Sequence, residues 1–171
     1  ALEALGGTPV DGCREDPLGF GGPIQVLWWH MLAKMSDALT AAQIPYVWID
    51  GDAPPERFDD MSLVIWPSYE FASTSHWERV VSLANSGKTI VYGPSMPELD
   101  ERMRFHHFES PRGAIRVNLD TDEDARALVA RLALDLDLPR PFPVEPSPLE
   151  TALHEDAVGP RVLFVLNPDR V

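Results

Sequence analysis

Three features are scarce in this sequence: cysteine, basic residues and long apolar runs. The single Cys13 excludes a disulfide within the chain. No apolar run approaches the about 20 residues that a membrane-spanning helix needs, and no basic stretch followed by an apolar one opens the chain as a secretion signal would. We therefore expect a cytoplasmic protein with no membrane partner.

Lysine and arginine together number 14, against 27 aspartates and glutamates, so the formal net charge is −13. A surface this acidic repels a phosphate backbone, which makes nucleic acid a poor partner. A chain of 171 residues, 44% of them hydrophobic, is long and apolar enough to bury one core of ordinary size. The composition therefore predicts a single acidic domain.

Alternating helical and strand-like patterns predict an open α/β fold with a mostly parallel central sheet and an antiparallel hairpin at the C-terminal edge. Helical spacing of apolar residues occurs at 24–43, after a Ser75–Glu78 capping box up to Gly87, at 96–105 and at 121–138. Strand-like runs occur at 44–50, 61–67, 88–93, 113–120, 149–156 and 161–167.

The beginning of the chain differs from the rest in pattern. Residues 1–23 are rich in glycine and lack periodicity, which predicts an irregular lead-in to a single α/β domain at 24–171. A doubly wound sheet usually begins with a central strand, and no strong strand precedes Ile24. Either the segment from Thr8 to Cys13 is a weak version of that strand, or the strand lies upstream of Ala1. The first residue is Ala1 and not Met, and the last strand-like run stops almost as soon as it forms, so we expect a fragment of a longer multidomain chain.

A possible nucleophile follows the strand at 88–93, in the stretch GKTIVYGPSMP. A nucleophile elbow needs a small residue on each side of the serine, so that a strained turn can lift its hydroxyl above the sheet. Gly93 meets this requirement for Ser95, but Pro97 occupies the second position. The favoured interpretation is that Ser95 caps the predicted helix at 96–105.

The alternative is a hydrolase in which Ser95 is the nucleophile, His106 or His107 the base, and Asp120 or Asp122 the residue that orients it. Other chemistries find less support. The glycine-rich stretches do not match a dinucleotide fingerprint, the histidines are scattered, and no spacing singles out a pair of carboxylates for glycoside hydrolysis. We expect no cofactor and no metal.

Two adjacent tryptophans, Trp28 and Trp29, lie on the predicted first helix. Neighbouring helical residues diverge by about 100°, so the two rings cannot both face one sheet. Either the core is wide enough for both, or one of them packs at a subunit or domain interface, where tryptophan is an enriched anchor. Contact with a sugar is a third use of an exposed tryptophan.

The sequence also contains three longer stretches that belong together: DALTAAQIPYVWID, SLVIWPSYEFASTSHWERVVSLANSGKTIVYGP and ETALHEDAVGPRVLFVLNP. Their most specific feature is an apolar strand ending in proline, then a polar stretch, a helix, Ser-Gly-Lys and a strand ending in Gly-Pro. Together they resemble the trimerisation domain of family-42 β-galactosidases.

This resemblance implies a flavodoxin-like sandwich, similar to that of class I glutamine amidotransferases. In that family the catalytic glutamates lie on a preceding barrel, and this domain makes oligomer contacts. The resemblance thus implies a homo-oligomer, such as a trimer, and a carbohydrate substrate that is bound by the parent enzyme. Amidotransferases carry a cysteine in a G-x-C-x-G turn where Ser95 stands here, so their chemistry is not implied.

Overall fold

The computed structural model describes the backbone of residues 23–140, 150–156 and 159–166, and the side chains of residues 30–140. The predicted lead-in and the candidate strand from Thr8 to Cys13 lie outside the described residues. The helices are Pro23–Ala41 (α1), Thr74–Asn85 (α2) and Asp122–Asp135 (α3), with a 3-10 turn at Pro55–Phe58. The strands are Leu63–Ser68 (β1), Thr89–Pro94 (β2), Ile115–Arg116 (β3), Glu150–Asp156 (β4) and Gly159–Leu166 (β5).

A small parallel sheet confirms the α/β class. Its strand order is β1-β2-β3, with Ile65 beside Val91 and Val91 beside Ile115. The central strand, β2, buries Ile90, Val91 and Tyr92 in succession. This continuous apolar run is typical of a parallel strand that is covered on both faces. None of the helices in the described part of the chain combines the length and the apolar character needed to cross a bilayer.

The described residues fall into two compact units, the first of which contains Ile49–Leu119 and the beginning of α1. The core of this first unit is centred on Trp77 of α2, which is 1% exposed. Its ring makes edge contacts with Tyr92 of β2, at 5.5 Å between ring centroids, and with Phe108, at 6.1 Å. Edge-to-face aromatic pairs of this kind stabilise a core beyond the area that they bury.

The second unit contains Ala33–Trp48 and the residues from Asp120 onward. In α3 the apolar face is buried at Ala125, Val129, Leu132 and Ala133. The helix begins with a reciprocal cap between Thr121 and Asp124, and the acidic residues of its first turn carry the charge that the positive end of a helix favours. Strand β4 pairs antiparallel with β5, with an irregularity between His154 and Glu155.

The strand predicted at 44–50 is wrong, because this segment pairs with no strand in the described part of the chain. Its aromatic side chains are exposed, Tyr46 to 42% and Trp48 to 60%. The prediction was based on the β-branched and aromatic residues of this segment, which fit well on the surface of a sheet. Such content does not provide the neighbouring strand that a ladder of hydrogen bonds requires.

The capping box predicted at Ser75 and Glu78 is also wrong. Helix α2 begins at Thr74, with Ser73 as the N-cap residue, and the Ser73 side chain makes no capping hydrogen bond. The end of the helix agrees with the sequence, because Gly87 follows it in the left-handed conformation, with φ of 93°.

The third difference lies between β2 and β3, where residues 96–105 form isolated bridges and turns in place of the predicted helix. Pro97 lies at the start of this segment and provides no N–H, and the next two residues donate their N–H groups to the loop after β1. The helical spacing of Met96, Leu99 and Met103 is therefore accidental, and Ser95 caps no helix.

Candidate functional site at the carboxyl end of the sheet

The carboxyl ends of β1 and β2 bring two serines together. Ser68 is buried, and its hydroxyl donates to the carbonyl of Ser95 at 2.5 Å. In return, the backbone N–H of Ser95 donates to the Ser68 carbonyl at 3.3 Å. Open α/β sheets bind their ligands beyond the carboxyl ends of the strands, so this edge is the first place to look for a site.

Gly93 lies where another part of the chain passes close to β2. The N–H of Val117 donates to the carbonyl of Tyr92 at 2.9 Å. A Cβ atom added to Gly93 would lie 1.9 Å from the carbonyl oxygen of Val117. The glycine therefore permits close packing of two backbone segments. This packing accounts for Gly93 without a nucleophile elbow.

Beyond Ser68, the loop after β1 pairs with the segment after β2. The N–H of Leu99 donates to the carbonyl of Glu70 at 3.0 Å, and the N–H of Ala72 donates to the carbonyl of Leu99 at 3.0 Å. These bonds form a parallel bridge between Phe71 and Leu99. The backbone at this end of the sheet is thus occupied by its own pairing.

A tight hairpin at residues 98–106 extends this pairing. Leu99 forms an antiparallel bridge with Phe105, supported by hydrogen bonds from Asp100 to Arg104 and from His106 to Glu98, both 2.9 Å long. The Asp100 carboxylate accepts from the N–H groups of Arg102 and Arg104 at 2.8 and 2.9 Å. An aspartate that binds the backbone in this way stabilises a turn.

The hairpin and the β1 loop together present an apolar surface that we call the apolar ribbon, defined as Phe71, Leu99, Met103 and Phe105. Residues paired directly across strands have side chains on the same face, so Phe71, Leu99 and Phe105 form one row. Phe71 is 45% exposed, Met103 60% and Phe105 87%. The sequence does not predict this surface, because in the predicted helix at 96–105 Leu99 would pair neither with Phe71 nor with Phe105.

Charged residues of both signs are the sequence neighbours of the ribbon residues. Glu70, Glu98, Arg102 and Arg104 are exposed, and none of them forms an ion pair with another of the described residues. Glu101 differs, since its carboxylate accepts from the N–H of Thr74 at 3.0 Å and from the Thr74 hydroxyl at 3.1 Å. These hydrogen bonds lower the pKa of Glu101 below its ordinary value.

The two candidate histidines lie beside α2, in the segment that follows the hairpin. His106 and His107 line an open groove of about 500 Å³ beside Trp77, whose indole N–H donates to the carbonyl of Glu109 at 2.7 Å. Within the described residues, neither imidazole forms a hydrogen bond with Ser95. The candidate residues for orienting the base, Asp120 and Asp122, belong to the second unit, where Asp122 is the first residue of α3.

A second polar cluster fastens the turn at residues 50–53 to α2. The guanidinium of Arg79 donates to the carbonyls of Gly51 and Ala53. His76 Nε2 lies 2.8 Å from Asp52 Oδ1, and the pKa of Asp52 is lowered first by this hydrogen bond and next by the charge of His76. The Trp66 ring makes an edge contact with His76 at 6.3 Å. Because these bonds hold the turn against α2, the cluster has a structural explanation.

The remaining candidates are Trp28 and Trp29. Their backbone belongs to α1, and their side chains lie outside the described residues. The part of the chain that the structure describes contains no group of three or more histidine, cysteine or acidic residues that could hold a metal ion. Comparison of this chain with protein-family models, with curated protein sequences and with solved structures finds no match.

Proposed function

We propose that this chain is a non-catalytic domain that supports the oligomeric assembly of a larger glycoside hydrolase of the β-galactosidase type. The observation that carries the proposal is the apolar ribbon at the carboxyl end of the sheet. An enzyme with an open α/β sheet has a cleft with convergent polar groups at that end. Here two aromatic rings and a methionine are exposed there instead.

An apolar surface of this kind favours assembly for a physical reason. Single exposed apolar residues are common on any protein, whereas contiguous apolar patches mark interaction sites. Aromatic residues and methionine are enriched in protein–protein interfaces, and the ribbon contains both. Burial of the two phenylalanines in a contact between chains would remove this surface from water.

The resemblance to the trimerisation domain of family-42 β-galactosidases supplies the rest of the proposal. In that arrangement the three-stranded sheet belongs to a flavodoxin-like sandwich, and β4 and β5 are the C-terminal antiparallel hairpin of the chain. The parent enzyme binds the carbohydrate substrate in a separate barrel and forms a homo-oligomer, such as a trimer. The present chain requires no cofactor for this role.

Sedimentation velocity over a wide range of protein concentrations tests the proposal. We expect the weight-average sedimentation coefficient of the chain to rise with concentration, and we expect the chain alone to hydrolyse no aryl β-galactoside. A sedimentation coefficient that is independent of concentration, at the value of a 19.0 kDa monomer, would contradict the assembly role. Hydrolysis by the purified chain would contradict the non-catalytic assignment.

A further inference from the structure

We propose that Met103 is a site of reversible oxidation, at which hydrogen peroxide converts the thioether of the side chain to a sulfoxide. The sulfoxide is polar, so the reaction places a polar group in the apolar ribbon. The inference goes beyond the proposed function, because it concerns the chemistry of the ribbon and not the identity of what covers it.

The first support is the exposure of the five methionines of the chain, all of which lie in the part that the structure describes. Met31 and Met35 are 4% and 1% exposed. Met61 and Met96 are partly buried and pack against the core of the first unit. Met103 is 60% exposed. Since oxidation of a side chain by a reagent in water follows its exposure, Met103 is the methionine that peroxide reaches first.

The second support is the backbone at the tip of the hairpin. Met103 has φ of 59°, in the left-handed region that a residue with a Cβ atom rarely adopts. Its N–H donates to the carbonyl of Asp100 at 2.9 Å, and the Asp100 carboxylate accepts from the N–H groups of Arg102 and Arg104 on either side of it. The turn is thus held by its own hydrogen bonds, and the exposed thioether contributes little to it. Oxidation of the sulfur therefore leaves the hairpin in place.

The reaction is a transfer of one oxygen atom. A lone pair of the Met103 sulfur attacks one oxygen of hydrogen peroxide, the S–O bond forms, the O–O bond breaks, and the second oxygen takes the proton of the first and leaves as water. Sulfur loses two electrons and peroxide gains them. A thiol-dependent methionine sulfoxide reductase reverses the step, because two thiols supply two electrons and become a disulfide while the oxygen leaves as water.

The position of Met103 also separates it from the buried methionines in what oxidation does. Oxidation of Met31 or Met35 would force a polar sulfoxide into a packed interior, which would destabilise the fold. Oxidation of Met103 changes the surface of a chain that remains folded, as a reversible switch requires. Where the ribbon takes part in the proposed assembly, oxidation would weaken the contact, and this step alone rests on the proposed function.

Peptide mapping by mass spectrometry tests the selectivity of the reaction. The chain is treated with dilute hydrogen peroxide after alkylation of Cys13, so that the thiol consumes no peroxide. We expect Met103 to gain an oxygen atom at least about tenfold faster than Met61 or Met96. The same treatment in urea is the control, and there we expect the five methionines to react at similar rates, because only the fold distinguishes them. Equal rates for Met103, Met61 and Met96 in the folded chain would overturn the inference.

Retention on a hydrophobic-interaction column tests the effect on the ribbon. We expect oxidation to shorten the retention of the original chain, and methionine sulfoxide reductases for both epimers to restore it, with the same circular dichroism throughout. The matched control is Met103→Leu, which keeps an apolar side chain that peroxide does not oxidise, so its retention should not change on treatment. An unchanged retention of the original chain, or an equal fall in Met103→Leu, would overturn the inference.

Sedimentation equilibrium before and after oxidation separates the inference from the proposed function. If oxidation shortens the retention and leaves self-association unchanged, Met103 is oxidised as inferred and another surface makes the proposed assembly. If the chain is monomeric before treatment, the assembly role fails, while the oxidation rates and the retention still decide the inference. Unselective oxidation of a chain that associates would overturn the inference alone.

Discussion

Gly93, at the end of β2, shows why this edge of the sheet does not form a nucleophile elbow. The sequence suggests a glycine of a nucleophile elbow, whereas in the structure the backbone of Val117 lies against it. A nucleophile elbow continues from its strand into a helix. Here the chain continues into bridged, extended backbone, and its polar groups pair with the loop after β1.

Substitution of Gly93 by alanine should therefore be costly. The new Cβ atom would overlap the carbonyl oxygen of Val117, which is backbone and cannot rotate away, so we expect the free energy of unfolding in urea to fall by about 3 kcal/mol. The control is Gly87→Ala, where the Cβ atom meets nothing within 4 Å and only the left-handed conformation is strained, at about 1 kcal/mol. Equal losses for the two variants would contradict this account of Gly93.

Ser95 should behave as an ordinary serine. Activation of a serine requires a base within hydrogen-bonding distance, and neither His106 nor His107 forms such a bond with it. We expect no modification of Ser95, measured by intact mass and peptide mapping, under conditions in which a fluorophosphonate fully labels a serine hydrolase. Stoichiometric labelling that disappears in His106→Ala or His107→Ala would revive the hydrolase alternative.

At the scale of elements, the N-termini of α2 and α3 differ in where the residue that binds their backbone N–H groups lies in the sequence. The cap of α3 is local, since Thr121 and Asp124 are three residues apart, and the sequence predicts the start of this helix correctly. The carboxylate that binds the N-terminus of α2 comes from Glu101, 27 residues after Thr74. Sequence patterns detect the first kind of cap and not the second, because only the fold brings Glu101 to the helix.

The Glu101 cap predicts a pH-dependent contribution to stability. The pKa of Glu101 is lower in the folded chain than in the unfolded one, so its contribution is present above about pH 4.5 and is lost as the pH falls through the folded value. We expect Glu101→Gln to lower the melting temperature at pH 7 and to differ less from the original chain at low pH. Glu98→Gln, whose carboxylate forms no ion pair within the described residues, is the control. A melting temperature of Glu101→Gln that matches the original at pH 7 would argue against the cap.

The same distinction, between features set by neighbouring residues and features set by distant ones, explains where else the structure differs from the predictions. Helices α1 and α3 and strands β1 and β2 follow from periodicity and composition, which are local properties. The segment at 44–50 has the composition of a strand but no neighbour in the described part of the chain. The apolar ribbon arises where two loops pair, and no single stretch of sequence contains that pairing.

At the scale of the whole molecule, the acidic charge and the exposed apolar ribbon act in opposite directions. A net charge of −13 opposes the approach of two copies, and salt screens this repulsion. Apolar contacts made through the ribbon are much less sensitive to salt. We therefore expect the self-association of the chain to strengthen between about 20 and 150 mM sodium chloride, measured by sedimentation velocity. Association that weakens over this range would indicate that attraction between opposite charges dominates the contact.

The most direct test of the account is the molar mass of the purified chain, measured by light scattering as its concentration is raised. We expect a mass that rises from 19.0 kDa towards an integer multiple of that value, and a mass that stays lower in Phe71→Ser/Phe105→Ser than in the original chain at every matched concentration. A mass of 19.0 kDa at all concentrations would contradict it.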